Sequence, residues 1–147
     1  MMYYFVMLSP IEGDATPDTL FRIGSITKRM LSAALLHTIE ATGKADTPIT
    51  VDTKIPKVIG DEFVAADEFP TQRATLRDAL YRRMGYPRHD ISYGGKGFTA
   101  KDAIRSLRHL LMCAGLRERF QYCNLGYMAL QHVVETITGT GSRHDTA

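Results

Sequence analysis

The sequence predicts an α/β (α+β) chain with a helical body and little sheet. Two patterns and one bound lead there. Apolar residues recur at helical spacing through roughly 25–42, 100–112 and 125–137, as helices with one face turned to a core require. The run Tyr3-Tyr4-Phe5-Val6-Met7-Leu8 is apolar without that period and reads as a buried or edge strand. With 147 residues, 44% of them apolar, the chain has enough for one core. A single domain is therefore expected over 1–139, with a disordered tail at 140–147.

Each element follows from local chemistry. Residues 9–18 hold Ser9, Pro10, Gly13, Asp14, Pro17 and Asp18 and form a loop. The first helix, 25–42, carries Ile26, Met30, Ala33, Ala34, Leu35 and Ile39, and Gly43 ends it. That apolar surface is wider than one stripe, which places the helix centrally, with bulky neighbours on several sides. Residues 44–74 contain Pro48, Pro56 and Pro70 and are expected as an extended excursion with short turns. Thr75 caps a short helix from Leu76 to Tyr81, which the segment Met84 to Asp90 breaks. Tyr93-Gly94-Gly95-Lys96-Gly97 prolongs the loop. Thr99 caps the next helix, 100–112, with Ile104, Leu107, Leu110 and Leu111 at helical spacing. The last helix, 125–137, has Met128, Ala129, His132, Val133 and Ile137 as its inward set and Gly139 beyond it.

Composition excludes several classes. Net charge is +2, too small for a strong overall field. Residues 81–120 hold nine basic against three acidic side chains, a local +6, yet no Lys-Arg block with interleaved aromatics marks a nucleic-acid site. The stripe reads as a solvated, ion-paired face, with Arg82, Arg83 and Arg88 as the alternative anchors for a carboxylate. No apolar run approaches the ~20 residues that cross a bilayer, and no basic leader or cleavage site follows the N-terminus. Cys113 and Cys123 make neither a disulfide framework nor a metal site, so a reducing, cytoplasmic setting is the default. Cys113 is expected to pack on its helix as a small hydrophobe. His89, Asp90, His109 and His132 are too scattered for a metal cluster, and Gly94 to Gly97 lacks phosphate-loop spacing. No cofactor is expected.

One spacing points to chemistry. Ser25 and Lys28 stand three apart at the start of an apolar helix, so they share a face and the amine reaches the hydroxyl. The alternative reading makes Ser25 a helix cap and Lys28 a solvent-facing residue of the first turn. Tyr122 and Asn124 have a similar pair of readings, as an aromatic anchor and the cap of helix 125–137, or as members of the same site.

The stretch Thr19 to Lys28, with Phe21-Arg22-Ile23-Gly24-Ser25-Ile26-Thr27-Lys28, and the stretch Phe120-Gln121-Tyr122-Cys123-Asn124-Leu125-Gly126-Tyr127 resemble two motifs of the serine beta-lactamase and penicillin-binding protein superfamily. The likeness is closest to its class C, carboxypeptidase and esterase-like branch and covers most of 15–139. Between the motifs, Thr75 to Leu80 and Gly85 to Asp90 resemble the stretch where relatives carry a leucine-rich turn ending in histidine-threonine-serine-glycine. The resemblance implies a beta-lactamase/transpeptidase-like fold. It also implies a serine hydrolase that forms an acyl-serine on a lactam, a D-amino-acid peptide or a carboxylic ester.

By the same resemblance Ser25 is the nucleophile, and Lys28 in its neutral form takes the serine proton. Tyr122 is partner base and then donor to the leaving group, and Asn124 orients Lys28 and the ligand amide. The Ser25 backbone amide supplies one oxyanion donor. Cys123 stands where relatives carry a small hydroxyl residue, with its side chain turned away from its neighbours. Tyr81-Arg82-Arg83-Met84-Gly85 departs from the histidine-threonine-serine wording. The third motif of the superfamily, a lysine- or histidine-led triad on a C-terminal strand, is absent after Asn124. The expectation is thus the helical part of such a domain, with an N-terminal strand and most of the C-terminal sheet missing, inactive on its own. The alternative function is a fragment or pseudoenzyme that acts as a binding module. A small molecule or peptide with an acyl group is the expected partner.

Overall fold

The computed structural model describes residues 16–19, 23–90 and 99–140. The strand expected at 3–8, Phe21 and Arg22 of the first motif, the glycine-rich loop 94–97 and the tail from 141 onward lie outside them. Six α-helices occur among the described residues: α1 (Thr27–Ala41), α2 (Ile55–Ile59), α3 (Glu68–Arg73), α4 (Leu76–Leu80), α5 (Ala100–Ser106) and α6 (Asn124–Thr138). No strand is found among them, and extended pairing is limited to an antiparallel bridge between Lys54 and Thr75.

The caps follow the chemistry read from the sequence. Thr75 and Thr99 each accept from the backbone N–H three residues on, at 3.2 Å, while Asp78 and Asp102 accept in return from the cap backbone. Both are capping boxes, so both helices start where local hydrogen bonding is satisfied reciprocally. Gly139 closes α6 in the left-handed region at φ 67°, and Thr140 N–H reaches Glu135 O at 3.2 Å.

Three expectations are corrected. Residues 44–74 fold into α2 and α3 with a 3-10 turn between, because Pro56 and Pro70 fall in first turns, where a missing N–H removes no intrahelical bond. The helix expected to run to 112 leaves α geometry after Ser106 and tightens into a 3-10 turn, Leu107–His109. The Leu107 carbonyl is taken instead by the Tyr86 hydroxyl at 3.2 Å and by Leu110 N–H at 3.2 Å. Cys113 therefore stands in an exposed loop rather than on a helix, its Sγ donating to Gly85 O at 3.4 Å.

The third correction concerns which helix is central. It is α6, which packs against α1, α2, α4 and α5 and buries Leu125, Gly126, Tyr127, Ala129, Leu130 and Val133. Its buried face is centred on 125–126, 129–130 and 133; Met128 and Ile137 flank it, and His132 turns to Glu62 at 2.5 Å. Around it lie Ile55, Ile59, Phe63, Leu76, Met84, Tyr86, Ile104 and Leu107. By contrast α1 buries only Leu35 and Thr38. Ile26, Met30 and Leu36 remain 54%, 61% and 49% exposed. A wide apolar surface says that a helix has cover to find, and it does not say that the cover is among these residues.

Candidate active site

Gly24 at φ 51° turns the chain into a 3-10 turn, Gly24–Ile26, which runs directly into α1. Ser25 stands in that turn and Lys28 one turn further on, so the lysine folds back over the serine. Its Nζ donates to Ser25 Oγ at 3.3 Å. From the other side, Ser25 Oγ and Tyr122 Oη share a hydrogen bond of 2.6 Å across 97 positions of sequence. Lys28 Nζ also lies 5.5 Å from the centre of the Tyr122 ring.

Tyr122 owes its place to the loop before α6. That loop runs along residues 82–85: Cys113 N–H donates to Gly85 O at 3.0 Å, Arg117 N–H to Arg83 O at 2.8 Å and Gln121 N–H to Arg82 O at 2.7 Å. Gly85, at φ 83°, permits the approach, because a Cβ there would collide with the Ala114 carbonyl oxygen and the Met112 methyl. Arg117 anchors the loop to α4 through a two-point bond to the buried Asp78 carboxylate, 2.9 Å at each oxygen.

Electrostatics favour a reactive phenol. Partial burial pushes Tyr122 up, but its hydrogen bonds with Ser25 and Lys28 and the charge of Lys28 outweigh that, so the phenol lies below its ordinary range. Cys123 next to it is buried in the core, and burial pushes its thiol up. Its side chain therefore turns away from the groove, as expected, and is held unreactive.

Asn124 is found as the first residue of α6 rather than as its cap; Cys123 holds the cap position. Its Nδ2 donates to Asp90 Oδ1 at 3.0 Å, and Asp90 also pairs with Arg88 at 2.6 Å. Two further neighbours of the serine take parts not read from the sequence, where Tyr127 only ends the second motif and Arg82 reads as a surface charge or carboxylate anchor. Tyr127, one turn after Asn124, shares a 3.3 Å bond with Ser32 Oγ, donates to Leu80 O at 3.3 Å and stands with its ring 5.8 Å from Lys28 Nζ. Arg82 lays its guanidinium over the Tyr122 ring at 4.5 Å. The spacing of Tyr127 from Asn124 was a readable signal for the first, whereas nothing in the sequence marks the stacking of the second. A groove of roughly 310 Å³ opens beside the serine, lined by Ser25, Ile26, Lys28, Arg29, Arg82 and Tyr127 among others.

A serine, a lysine one helical turn on and a tyrosine from a distant loop thus meet at one hydroxyl oxygen of a helical body. The chain belongs to the serine beta-lactamase and penicillin-binding protein superfamily: the Beta-lactamase family model matches residues 11–144. It is 35% identical over 130 residues to unguisins hydrolase ungD' of Aspergillus campestris, which covers 86% of this chain and 24% of that protein. To unguisins hydrolase ungD of Aspergillus violaceofuscus it is 34% identical over 126 residues, covering 83% and 22%. The fold is similar to that of the octameric penicillin-binding protein homologue from Pyrococcus abyssi, with TM-score 0.60 and 24% identity over 85% of this chain and 29% of that one. The chain thus spans about a quarter of the length of the relatives it matches.

Proposed function

We propose that Ser25 is the nucleophile of an acyl-transfer site acting on an amide, lactam or carboxylic ester through an acyl-serine. The observation that carries this reading is the 2.6 Å contact of Ser25 with Tyr122, made while Lys28 donates to the same oxygen. In place of the neutral lysine expected from the resemblance, this reading makes the Tyr122 phenolate the base: as the serine attacks a carbonyl carbon, its proton passes to the phenolate oxygen, and Lys28, donating to the serine oxygen, offsets the negative charge on the pair. The phenol then gives that proton to the departing amine or alcohol. The Ser25 N–H, at a helix start that leaves early N–H groups without intrahelical partners, serves as one oxyanion donor. Asn124 holds the ligand amide. The names of the two curated relatives, both hydrolases of unguisins, support a hydrolytic outcome.

A second reading, a site that binds or is acylated without turnover, is favoured by the exposure of Ser25. An oxyanion formed there stays in contact with water, which weakens the stabilisation that each hydrogen-bond donor supplies. The 147-residue chain is therefore expected to form the acyl-serine slowly and to turn over substrate negligibly.

The test is labelling of purified protein with a fluorophosphonate and with a fluorescent beta-lactam, alongside Ser25→Ala and Tyr122→Phe. We expect one stoichiometric adduct in wild type, none in Ser25→Ala, and a rate about 10²–10⁴ lower in Tyr122→Phe. Labelling that survives Ser25→Ala would remove the proposal.

A further inference from the structure

Arg82 occupies the left-handed region at φ 57°, which residues with a Cβ adopt rarely. Two backbone bonds hold it there: its N–H donates to Ala79 O at 3.1 Å, and its carbonyl accepts from Gln121 N–H at 2.7 Å. The second bond fixes Arg82 to the residue preceding Tyr122. The side chain then lies against aromatic rings, with Cζ 4.5 Å from the centre of Tyr122, 5.6 Å from Tyr127 and 5.8 Å from Phe120. Among the described residues no carboxylate lies within ion-pairing distance of its guanidinium.

We propose that Arg82 is a positioning residue for the base: its guanidinium, stacked on the Tyr122 ring, fixes the phenol against Ser25 and favours the phenolate. The inference rests on Tyr122 being the base of the proposed site. A cation over a neutral ring gains a modest attraction from the ring quadrupole, and it gains more once the ring carries a full negative charge. Stacking of this kind therefore stabilises the deprotonated state selectively. Among the described residues, Ser25, Lys28 from α1 and Arg88 also stand against Tyr122, the Arg88 guanidinium 5.0 Å from the ring and bonded to Asp90. The charge of Arg82 acts on the phenol in the same downward direction as that of Lys28. Arg82 falls in the stretch where the sequence departs from the superfamily's histidine-threonine-serine wording, so the resemblance assigns it no such role.

The experiment is a spectroscopic titration of Tyr122 in the full 147-residue protein, read as the difference in tyrosinate absorbance between each background and the same background carrying Tyr122→Phe. Arg82→Met keeps the apolar stem without the charge, Arg82→Gln keeps polarity, and Arg82→Lys keeps the charge. We expect the Tyr122 midpoint to rise by about one pH unit in Arg82→Met and Arg82→Gln, and by less than half of that in Arg82→Lys. An unmoved midpoint in a folded neutral variant, judged by circular dichroism, overturns the inference. So does loss of the fold in both neutral variants with Arg82→Lys intact, which would make Arg82 a residue of the fold. No acyl donor is used, so the two claims separate. Ser25 that labels while the midpoint stays put removes this inference alone, whereas a shifted midpoint with unreactive Ser25 removes the hydrolase reading.

Discussion

At the scale of single residues, a phenol held below its ordinary range has a direct consequence for rate. A base with a lowered value is available at lower pH, so labelling of Ser25 in wild type should climb with pH and level off before the ordinary phenol range near 10. In Tyr122→Phe the same profile should be flat over that interval. A wild-type profile still climbing steeply above pH 10 would show that another group takes the proton. The serine, lysine and tyrosine were legible in the sequence because two separated motifs carried them in a known order. The stacking of Arg82, read from sequence only as a surface charge or carboxylate anchor, was not, because it depends on a left-handed backbone and on a ring 40 positions away, neither of which spacing reveals. The alternative reading of Asn124 as a cap misses by one residue, the step between a cap and the first helical position.

Among the elements, α4 and the loop bearing Tyr122 are coupled through Asp78 and Arg117. Asp78 is buried, and burial pushes its carboxyl up. The bonds from Arg117 and Thr75 prevail and hold it below the usual carboxylate range. A carboxyl lowered by folding binds fewer protons folded than unfolded. Its contribution is therefore present above about pH 4 and lost as pH falls through the folded value. Glu62, lowered by its bonds with Lys101 and His132, adds in the same direction. Asp78→Asn should cost about 2–4 kcal/mol at pH 7 and flatten the acid limb of stability, measured by urea unfolding at pH 3–7. An acid limb as steep as that of wild type would place the sensitivity elsewhere. Gly85→Ala should cost at least about 2 kcal/mol by the same assay and slow Ser25 labelling, since the loop must retreat from residue 85 and take Tyr122 with it. Capping boxes were readable because they are written within four residues. Helices α2 and α3 were not, because proline reads as a breaker unless its place in the first turn is known.

For the whole molecule, the described residues make a helical body organised on α6, with α1 carrying the nucleophile at its margin. The sequence pattern identified both helices and gave α1 the central place that α6 holds among the described residues. The apolar surface of α1 is broad, yet only its Leu35 stripe meets a neighbour among the described residues, so Ile26, Met30 and Leu36 face outward. Exposed apolar area of this kind binds hydrophobic dyes. The double variant Met30→Glu, Leu36→Glu should lower dye binding severalfold while changing stability by less than about 1 kcal/mol. A large loss of stability would mean that this face is covered in solution. Family membership follows from a match that spans 11–144, and hydrolysis is the reading that the geometry around Ser25 supports.

The most direct measurement is the peptide-mapped mass of the protein after reaction with a fluorophosphonate. The account predicts a single adduct on Ser25, lost in Ser25→Ala and strongly slowed in Tyr122→Phe. An adduct on another residue, or an unmodified Ser25 in folded protein, would contradict it.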